Sequence, residues 1–374
     1  MRLCKYIDLK YMNSLGFDKK EKDTKVIVAM SGGVDSSVAA VKLKKEGYNV
    51  TGVTLRLYNQ LNSSKSKSCC AGIDIEDAEK VAKQYDFPHL VFDYQEKFYN
   101  SVINKFVDSY ANGETPVPCI DCNQTVKFSD LLNESIDLRA DTLVTGHYAI
   151  RKGGLKGSKL FKAKDKTKDQ SYFLFATLQS QLDYVRFPLG NYLKSEIRKM
   201  AEDYDLAVSD KPDSQDICFV TSDSYRDLIN KLQPDINKEG NIFDINGNKI
   251  GVHKGIANYT IGQRKGIGIG GQENPLYVKE VNKEQNYIIL APLKDLKKNR
   301  VFLKKINLLD SEIKNKKIEC SAKIRSTQDE ISGILNLNED SGSFLFDSAI
   351  SATSPGQACV FYKNEQVLGG GWII

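Results

Sequence analysis

The sequence predicts an α/β protein in which a doubly wound, mostly parallel sheet is followed by a small central domain and a C-terminal β-barrel. Between residues 25 and 205, short β-rich runs alternate with helical patterns, which is the order of βαβ units. From residue 276 to 374, strand signals recur at short spacing between turn residues, as in a small closed barrel. The stretch between these regions is rich in glycine, asparagine and aspartate, which indicates a separate small domain.

The first predicted strand and helix flank a turn rich in glycine and serine. The β-branched residues 26–28 lead into AMSGGVDSS at residues 29–37, and apolar residues at helical spacing follow to residue 48. Gly32 and Gly33 allow a tight bend, while serine hydroxyls and the amides that begin the helix converge on one point. The turn therefore predicts a phosphate site, although it has neither the Walker lysine nor the GxGxxG spacing.

The later elements of this region continue the alternation. We predict strands at residues 49–58, 88–94 and 142–150, and helices at residues 75–85, 96–111 and 127–139. Ligands of parallel sheets bind at the carboxyl ends of the strands. Residues 52–57 and 145–148, toward the ends of two of these strands, should therefore share one cleft with the glycine turn.

The change in composition along the chain predicts its domains. We expect a disordered N-terminal extension at residues 1–24, the sheet domain at 25–205, the central domain at 206–278 and the barrel at 279–374. Within residues 260–271, closely spaced glycines argue against a regular helix.

Charge and hydropathy limit the partners of this chain. Its net charge is only +5, but residues 151–168 contain eight basic residues and one acidic residue. Such a patch attracts a polyanion such as nucleic acid, unless it is only solvated surface. No apolar run approaches the ~20 residues of a membrane span, and the N-terminus does not resemble a secretory signal. We therefore expect a cytoplasmic protein without a membrane partner.

The cysteines are the main candidates for chemistry. Cys119 and Cys122 follow a proline-rich loop, and Cys122 directly precedes a predicted helix, whose amides would lower the pKa of its thiol. Cys218 lies in a loop beyond the sheet. These thiols could serve redox or sulfur-transfer chemistry, with a Cys122–Cys218 disulfide and a persulfide, or a metal site with three thiolates. Cys320 and Cys359 lie within predicted strands and suit a buried apolar role.

Seven motifs occur in order along residues 26 to 371: SGGVDSS, TPVPCIDCNQTVKF, TGHY, KDQSYFL, DSQDICF, TIGQRKGIGIGG and SPGQACVFY. Together they resemble the MnmA family of bacterial tRNA-specific 2-thiouridylases, within the PP-loop ATP pyrophosphatase superfamily. The resemblance implies an adenylating domain of the adenine nucleotide alpha hydrolase-like fold, a small central domain and a barrel that helps to hold tRNA.

The resemblance also implies a reaction. ATP, with Mg²⁺, adenylates the C2 oxygen of the wobble uridine (U34), and a persulfide on Cys218 delivers sulfur to C2. Cys122 is the nucleophile that releases this sulfur by forming a disulfide with Cys218, and AMP and pyrophosphate are the other products. The base must be flipped into the site. The implied partners are the wobble-uridine tRNAs for Lys, Glu and Gln and a sulfur-donor relay or cysteine desulfurase, and we expect a monomer.

Matching positions in the motifs assign the other site residues. Those for ATP are Ala29, Met30, Ser31, Gly32, Gly33, Val34, Asp35, Ser36, Leu55 and Gly146. Those for the target base are Val117, Pro118 and Cys119, and those for the rest of the tRNA are His147, Lys168, Asp169, Gln170, Arg325, Ser326 and Gln357. For His147, a hydrogen-bonded structural role is an equal alternative.

The chain departs from the family pattern at three positions. Cys119 stands where many members have an aspartate, which removes a candidate general base and completes a three-thiol set with Cys122 and Cys218. We hypothesise that these thiols could hold a [4Fe-4S] cluster that delivers sulfur at its open iron. Leu55 replaces a methionine of some members and keeps an apolar wall for adenine. Ser326 replaces an aromatic residue, which weakens any stacking role beside Arg325.

Two other classes of function stay open. A different PP-loop enzyme could adenylate a small carboxylate or amide, which would explain the glycine turn but not the thiols or the basic patches. A noncatalytic RNA-binding or redox protein would explain the patches and thiols but not the turn. Pyrophosphate release from ATP with and without tRNA discriminates between these classes.

Overall fold

The computed structural model describes residues 12–58, 72–154, 157–213, 217–220, 224–270, 274–313, 316–338 and 341–374. The strands are β1 (Lys25–Ala29), β2 (Asn49–Arg56), β3 (His89–Asp93), β4 (Thr142–Val144), β5 (Ile150–Lys152), β6 (Lys159–Phe161), β7 (Val185–Arg186), β8 (Gly240–Phe243), β9 (Lys249–His253), β10 (Leu276–Asn282), β11 (Tyr287–Pro292), β12 (Lys297–Leu308), β13 (Lys317–Lys323), β14 (Ile331–Leu337), β15 (Ser341–Ser351), β16 (Ala358–Lys363) and β17 (Gln366–Ile373). The helices are α1 (Val34–Lys45), α2 (Gly72–Gln84), α3 (Gln95–Phe98), α4 (Asn104–Ala111), α5 (Pro118–Cys122), α6 (Leu131–Asp137), α7 (Gln179–Tyr184), α8 (Lys194–Asp203) and α9 (Tyr225–Leu232).

The N-terminal sheet is parallel, with the strand order β3-β2-β1-β4-β7 among the described residues. The order proceeds outward from β1 in both directions, so the topological switch point lies between β1 and β4. This is the doubly wound α/β fold that the alternation of elements predicted. A ligand site is expected where the carboxyl ends of β1 and β4 diverge.

Both faces of this sheet are covered, as a parallel sheet requires. Val26 and Val28 of β1 are buried in one hydrophobic cluster with Val38 of α1. Ile27, between them, belongs to a second cluster that contains Phe98 of α3. Successive side chains of a strand point to opposite faces, so β1 separates two layers of helices.

The helix predicted at 96–111 is observed with nearly those bounds, and the helix predicted at 127–139 is part of a longer one. The segment from α3 to α4 continues through a π-helical stretch, Tyr99–Ile103. The segment from α5 to α6 likewise continues through Asn123–Asp130, so this helix begins at Pro118 instead of residue 127. Proline suits the first turn because its missing N–H has no partner there in any case.

The central domain is a sheet with the order β10-β11-β8-β9. The prediction that residues from 279 onward belong to the barrel is therefore wrong for β10 and β11. β11 pairs in parallel with β8, and Val278, Ile288 and Ile242 share one core. Strand periodicity identified these strands but could not identify their pairing partners.

The C-terminal domain is the predicted closed barrel. Among its described strands the order is β12-β15-β14-β13-β16-β17, and β12 pairs with β17 to close it. The hairpin β5–β6 extends from β17, although its residues precede the central domain in sequence. The predicted strand at 142–150 is thus divided between β4 of the parallel sheet and β5, which begins on the barrel sheet.

Residues 12–24 are ordered, so the prediction of disorder for residues 1–24 is wrong for this part. Leu15 is buried, and its carbonyl oxygen accepts a hydrogen bond from Nε of Arg186 at 2.7 Å. Asn13 donates to Oγ1 of Thr24 at 2.9 Å. Residues 1–11 lie outside the described part of the chain. Within the described ranges, no helix combines the length and apolar character needed to cross a membrane.

Candidate active site

The turn after β1 is closed by its own serines. The Ser31 amide donates to Oγ of Ser36 at 3.1 Å, and that hydroxyl reaches the carbonyl oxygen of Gly33 at 3.2 Å. Gly32 has φ +69°, and a side chain on it would overlap the backbone carbonyl of Asp74 at the start of α2. The two glycines therefore form a compact loop at the start of α1, and a helix N-terminus suits an anion.

The turn after β4 lies against this loop. A Cβ atom on Gly146 would lie 2.9 Å from the backbone nitrogen of Ser36. The turns after β1 and β4 are thus neighbours, as the pairing of these two strands requires. Leu55, at the end of β2, is 7% exposed and packs in the cluster beneath the sheet. Met30 and Val34 are also buried, so these two would meet a ligand mainly through their backbone.

A chain of ion pairs that sequence reasoning missed joins the loop to the segment before Cys218. Nζ of Lys194 lies 2.7 and 2.8 Å from the two carboxylate oxygens of Asp35, and 3.0 Å from Oδ1 of Asp213. Tyr148 donates its hydroxyl to Asp35 at 2.7 Å. Lys168 contacts the other oxygen of Asp213 at 2.8 Å. No spacing in the sequence signals these contacts, and the two contacts of Asp35 join residues more than 100 positions apart.

Lys211 fixes the same segment to the glycine turn. Its ammonium group donates to the carbonyl oxygen of Gly32 at 3.0 Å and contacts the carboxylates of Asp74 and Asp77. Burial alone would lower the pKa of Lys211, but the hydrogen bonds to the two aspartates outweigh it and raise the pKa. Lys211 and Lys194 therefore place two cations beside the loop, each paired with two carboxylates.

Cys122 does not have the environment that the sequence predicted. It lies at the end of α5, inside a continuous helix, and its side chain is only 7% exposed. Burial raises the pKa of this thiol above its ordinary value, against the opposing effect of Lys127. The expected lowering of the pKa by a helix N-terminus is therefore wrong, because that helix begins four residues earlier. Cys119, in the first turn, is exposed.

Cys218 lies on the same hydrophobic cluster as Cys122. The hydroxyl of Tyr58 donates to the carbonyl oxygen of Cys218 at 2.7 Å. The ring of Phe219 lies 5.7 Å from that of Phe98, in an edge-on arrangement. Cys122 is buried within this cluster, and Cys218 is partly buried against it. Two cysteines that are distant in sequence thus both pack in one large hydrophobic cluster.

The three cysteines are not arranged as a metal site. In the part of the chain that the structure describes, no group of three or more His, Cys, Asp or Glu side chains is placed to hold a metal ion. Cys119, Cys122 and Cys218 all lie within that part. The donor set therefore does not fit the hypothesised [4Fe-4S] cluster.

Three of the side chains assigned to tRNA make hydrogen bonds within the protein. Nδ1 of His147 lies 2.7 Å from the Thr145 hydroxyl, and burial lowers the pKa of this histidine well below its ordinary value. Gln170 accepts from the Tyr148 amide at 3.0 Å, and Asp169 accepts from the Ser171 hydroxyl at 2.7 Å. His147 is thus a neutral side chain held by a hydrogen bond. These contacts match the structural role that the sequence left open for it.

The loop before Cys119 is held by the barrel. The Thr115 amide donates to the carbonyl oxygen of Pro355 at 2.8 Å, and Nε2 of Gln357 donates to the carbonyl oxygen of Thr115 at 2.9 Å. The exposed residues Arg325 and Ser326 lie near this junction, where Arg325 donates to the carbonyl oxygen of Ala352. Val117 is half-buried and Pro118 is buried beneath Cys119. The barrel therefore positions the entrance to the helix that contains both cysteines.

Ion pairs neutralise part of the basic patch at residues 151–168. Four of its lysines contact carboxylates: Lys159 with Asp310, Lys162 with Glu330, Lys164 with Glu196 and Lys168 with Asp213. These pairs tie the patch to the barrel and to α8. Much of this charge therefore has a structural role, and it attracts a polyanion less than the sequence suggests.

The chain matches family models along almost its whole length. They are described as a tRNA methyl transferase HUP domain at residues 24–222, a tRNA methyl transferase PRC-barrel domain at 228–292 and an aminomethyltransferase beta-barrel domain at 298–373. The second range includes β10 and β11, in agreement with the observed central sheet.

Curated relatives match over a similar extent. The tRNA-specific 2-thiouridylase MnmA of Rhodospirillum centenum is 48% identical over 372 residues, covering 97% of this chain and 95% of that protein. The protein of the same name from Rickettsia massiliae is 49% identical over 356 residues, covering 94% and 97%. These relatives are named for thiolation, whereas the family-model descriptions refer to methyl transfer.

Proposed function

Since this chain belongs to the MnmA family of tRNA-specific 2-thiouridylases, we propose that it is an ATP-dependent sulfurtransferase that converts the wobble uridine of tRNA to 2-thiouridine. The observation that carries the assignment is that one fold combines a glycine turn suited to an anion with two cysteines of one hydrophobic cluster. Ion pairs at Lys194 and Lys211 tie the loop to the segment that leads to Cys218. Activation and sulfur transfer can therefore occur at neighbouring places.

The first step is adenylation. The amides of the glycine turn and the ammonium groups of Lys194 and Lys211 hold the triphosphate, while Leu55 and Gly146 form the walls on either side. Asp35, Ser31 and Ser36 would offer the oxygen ligands that Mg²⁺ prefers, and the ion would offset the phosphate charge. The C2 oxygen of uracil attacks the α-phosphorus, pyrophosphate leaves, and the oxygen becomes part of a good leaving group.

The second step is sulfur transfer. The terminal sulfur of a persulfide on Cys218 attacks C2, and AMP leaves with the original oxygen. The thiolate of Cys122 then attacks the inner sulfur of Cys218, which forms the Cys122–Cys218 disulfide and releases 2-thiouridine. The apolar surroundings keep Cys122 protonated at neutral pH until the substrate complex forms, since burial raises the pKa of its thiol.

The tRNA is held between the sheet domain and the barrel. The target base is flipped out of its stack and meets residues 117–119, whose last member is exposed. Arg325, Ser326, Lys168 and Gln357 contact the tRNA, while His147, Asp169 and Gln170 shape the wall beside β4. We expect the wobble-uridine tRNAs for Lys, Glu and Gln as substrates, a sulfur relay or cysteine desulfurase as donor, and a cytoplasmic monomer.

The decisive experiment follows nucleosides and pyrophosphate together. Unmodified tRNA is incubated with the protein, ATP, Mg²⁺ and a sulfide source, and 2-thiouridine is measured by mass spectrometry. We expect 2-thiouridine and tRNA-dependent pyrophosphate release. Release that does not depend on tRNA would favour an enzyme of small substrates, and no release under any condition would favour a noncatalytic protein.

Substitutions separate the two steps. Cys218→Ala should retain tRNA-dependent pyrophosphate release and abolish 2-thiouridine, because adenylation needs no thiol. Asp35→Ala should abolish pyrophosphate release while tRNA binding persists. Thiolation by the Cys218→Ala variant would mean that another residue delivers the sulfur.

A further inference from the structure

The two cysteines of the CIDC sequence differ sharply in their access to solvent. Cys119 is exposed in the first turn of the helix, whereas Cys122, three residues later, is 7% exposed and belongs to the hydrophobic cluster. Cys218 is partly buried, and Tyr58 and the packing of Phe219 hold its segment. A Cys122–Cys218 disulfide would therefore form in a place that a reductant from solution reaches poorly.

Each catalytic cycle must nevertheless return that disulfide to two thiols. Disulfide reduction requires an attacking thiolate to reach a sulfur atom, so burial slows the reaction. Residues three positions apart on an α-helix have Cα atoms about 5 Å apart. That separation lies within the range of roughly 4.4–6.8 Å that disulfides span. Cys119 and Cys122 are thus spaced to exchange a disulfide within one turn.

We propose that Cys119 is the exchange thiol that transfers the catalytic disulfide from the hydrophobic cluster to the protein surface. This role rests on the proposed function, which supplies the Cys122–Cys218 disulfide. The Cys119 thiol loses its proton to solvent and its sulfur attacks Sγ of Cys122. The Cys119–Cys122 bond forms, the Cys122–Cys218 bond breaks, and Cys218 leaves as a thiolate that is ready to accept a new persulfide sulfur.

The number of disulfide bonds in the protein does not change during this exchange. One disulfide replaces another, so no oxidant is consumed and no electrons leave the pair. A dithiol reductant then attacks the exposed Sγ of Cys119 and, in a second exchange, leaves both cysteines as thiols while it becomes a cyclic disulfide. Cys218 can thereby accept a new persulfide sulfur before the slower reduction of the Cys119–Cys122 disulfide takes place.

The test uses the full-length protein, loaded with persulfide by a cysteine desulfurase and free cysteine. After one turnover with ATP, Mg²⁺ and tRNA in the absence of reductant, free thiols are alkylated and the peptides are analysed by mass spectrometry. In the natural protein, we expect a Cys122–Cys218 link that converts into a Cys119–Cys122 link. In Cys119→Ser, the Cys122–Cys218 link should persist.

Kinetics supply the second readout. The ratio of the steady-state rate with a dithiol reductant to the first-turnover rate should fall at least tenfold in Cys119→Ser, whatever the substitution does to the first turnover itself. Cys320→Ser, which changes a half-buried thiol of the barrel, is the matched control and should keep the ratio.

Two results would overturn the exchange role. One is a Cys119 that stays open to alkylation throughout the cycle, and the other is an unchanged ratio in Cys119→Ser. If the natural protein makes no 2-thiouridine in the first turnover, the proposed function itself is wrong, and the exchange role fails with it.

Discussion

At the scale of single residues, Asp213 has the richest set of charged contacts near the site. Oδ1 accepts from Lys194 at 3.0 Å and from Arg198 at 2.8 Å, and Oδ2 accepts from Lys168 at 2.8 Å. Burial by itself would raise the pKa of this carboxyl group, but the hydrogen bonds from Lys168 and Lys194 outweigh it and lower the pKa to about 2. Asp213 is therefore ionised throughout the physiological range and holds three cations together.

Asp213→Asn should lower the free energy of unfolding at pH 7 by about 1–2 kcal/mol. A carboxyl whose pKa is lower in the folded state stabilises the fold above its ordinary pKa, here 3.8, and loses this contribution as the pH falls toward about 2. Urea unfolding of both proteins should thus show a constant difference from pH 7 to about pH 5 and a shrinking one below pH 4. Asp329→Asn, at an exposed barrel position, is the control, and an equal loss there would contradict the assignment.

At the scale of elements, the turn after β4 packs closely on the start of α1, at the proposed ATP site. The two elements are adjacent because β4 pairs with β1 in parallel, with Val26 opposite Thr142. Gly146 permits the contact, since any side chain there would press on the backbone of Asp35 and Ser36. The packing of the glycine turn therefore depends on Gly146, a residue more than 100 positions away.

Gly146→Ala should disturb this site because its Cβ atom would lie 2.9 Å from the nitrogen of Ser36 and 3.0 Å from the carbonyl carbon of Asp35. Overpacking of this kind costs about 1–3 kcal/mol. We expect weaker ATP binding in calorimetry and slower pyrophosphate release. Gly153→Ala is the matched control because the nearest atom to its Cβ is 3.8 Å away, at the end of the Arg151 side chain. Equal ATP affinity in the two variants would show that the close contact is unimportant.

At the scale of the whole molecule, the central sheet and the barrel both contact the loop that precedes Cys119. Val281 of the central sheet lies beneath Gly113, and Lys304 of the barrel contacts Glu114 at 3.3 Å. Gln357, beyond β15, holds Thr115. The domains are thus assembled around the segment that presents the cysteines, and a change in the barrel can alter chemistry in the sheet domain.

Gly356→Ala tests this dependence. Its Cβ atom would lie 3.0 Å from Cβ of Glu114 in a backbone with φ +85°. Gly247→Ala has the same backbone conformation, with φ +84°, but meets no atom within 4 Å. Both substitutions should cost about 1–2 kcal/mol of stability. Only Gly356→Ala should also slow thiolation, by roughly tenfold, because a shift of about 1 Å at a reacting group is costly.

The measurement is the rate of 2-thiouridine formation at a temperature where both variants are fully folded by circular dichroism. Similar rates in the two variants would mean that the barrel does not position the cysteine loop.

The sequence by itself determined the kind of fold, the glycine turn and the three-part order of the chain, because each of these is written in local periodicity and in motifs. Only the tertiary structure decided that β10 and β11 join the central sheet, that the hairpin β5–β6 extends the barrel, and that residues 12–24 are ordered. The same holds for the raised pKa of Cys122 and for the contacts of Lys194 and Asp213. Strand pairing, burial and ion pairing depend on residues brought together from distant positions, and no local pattern records which of them will meet.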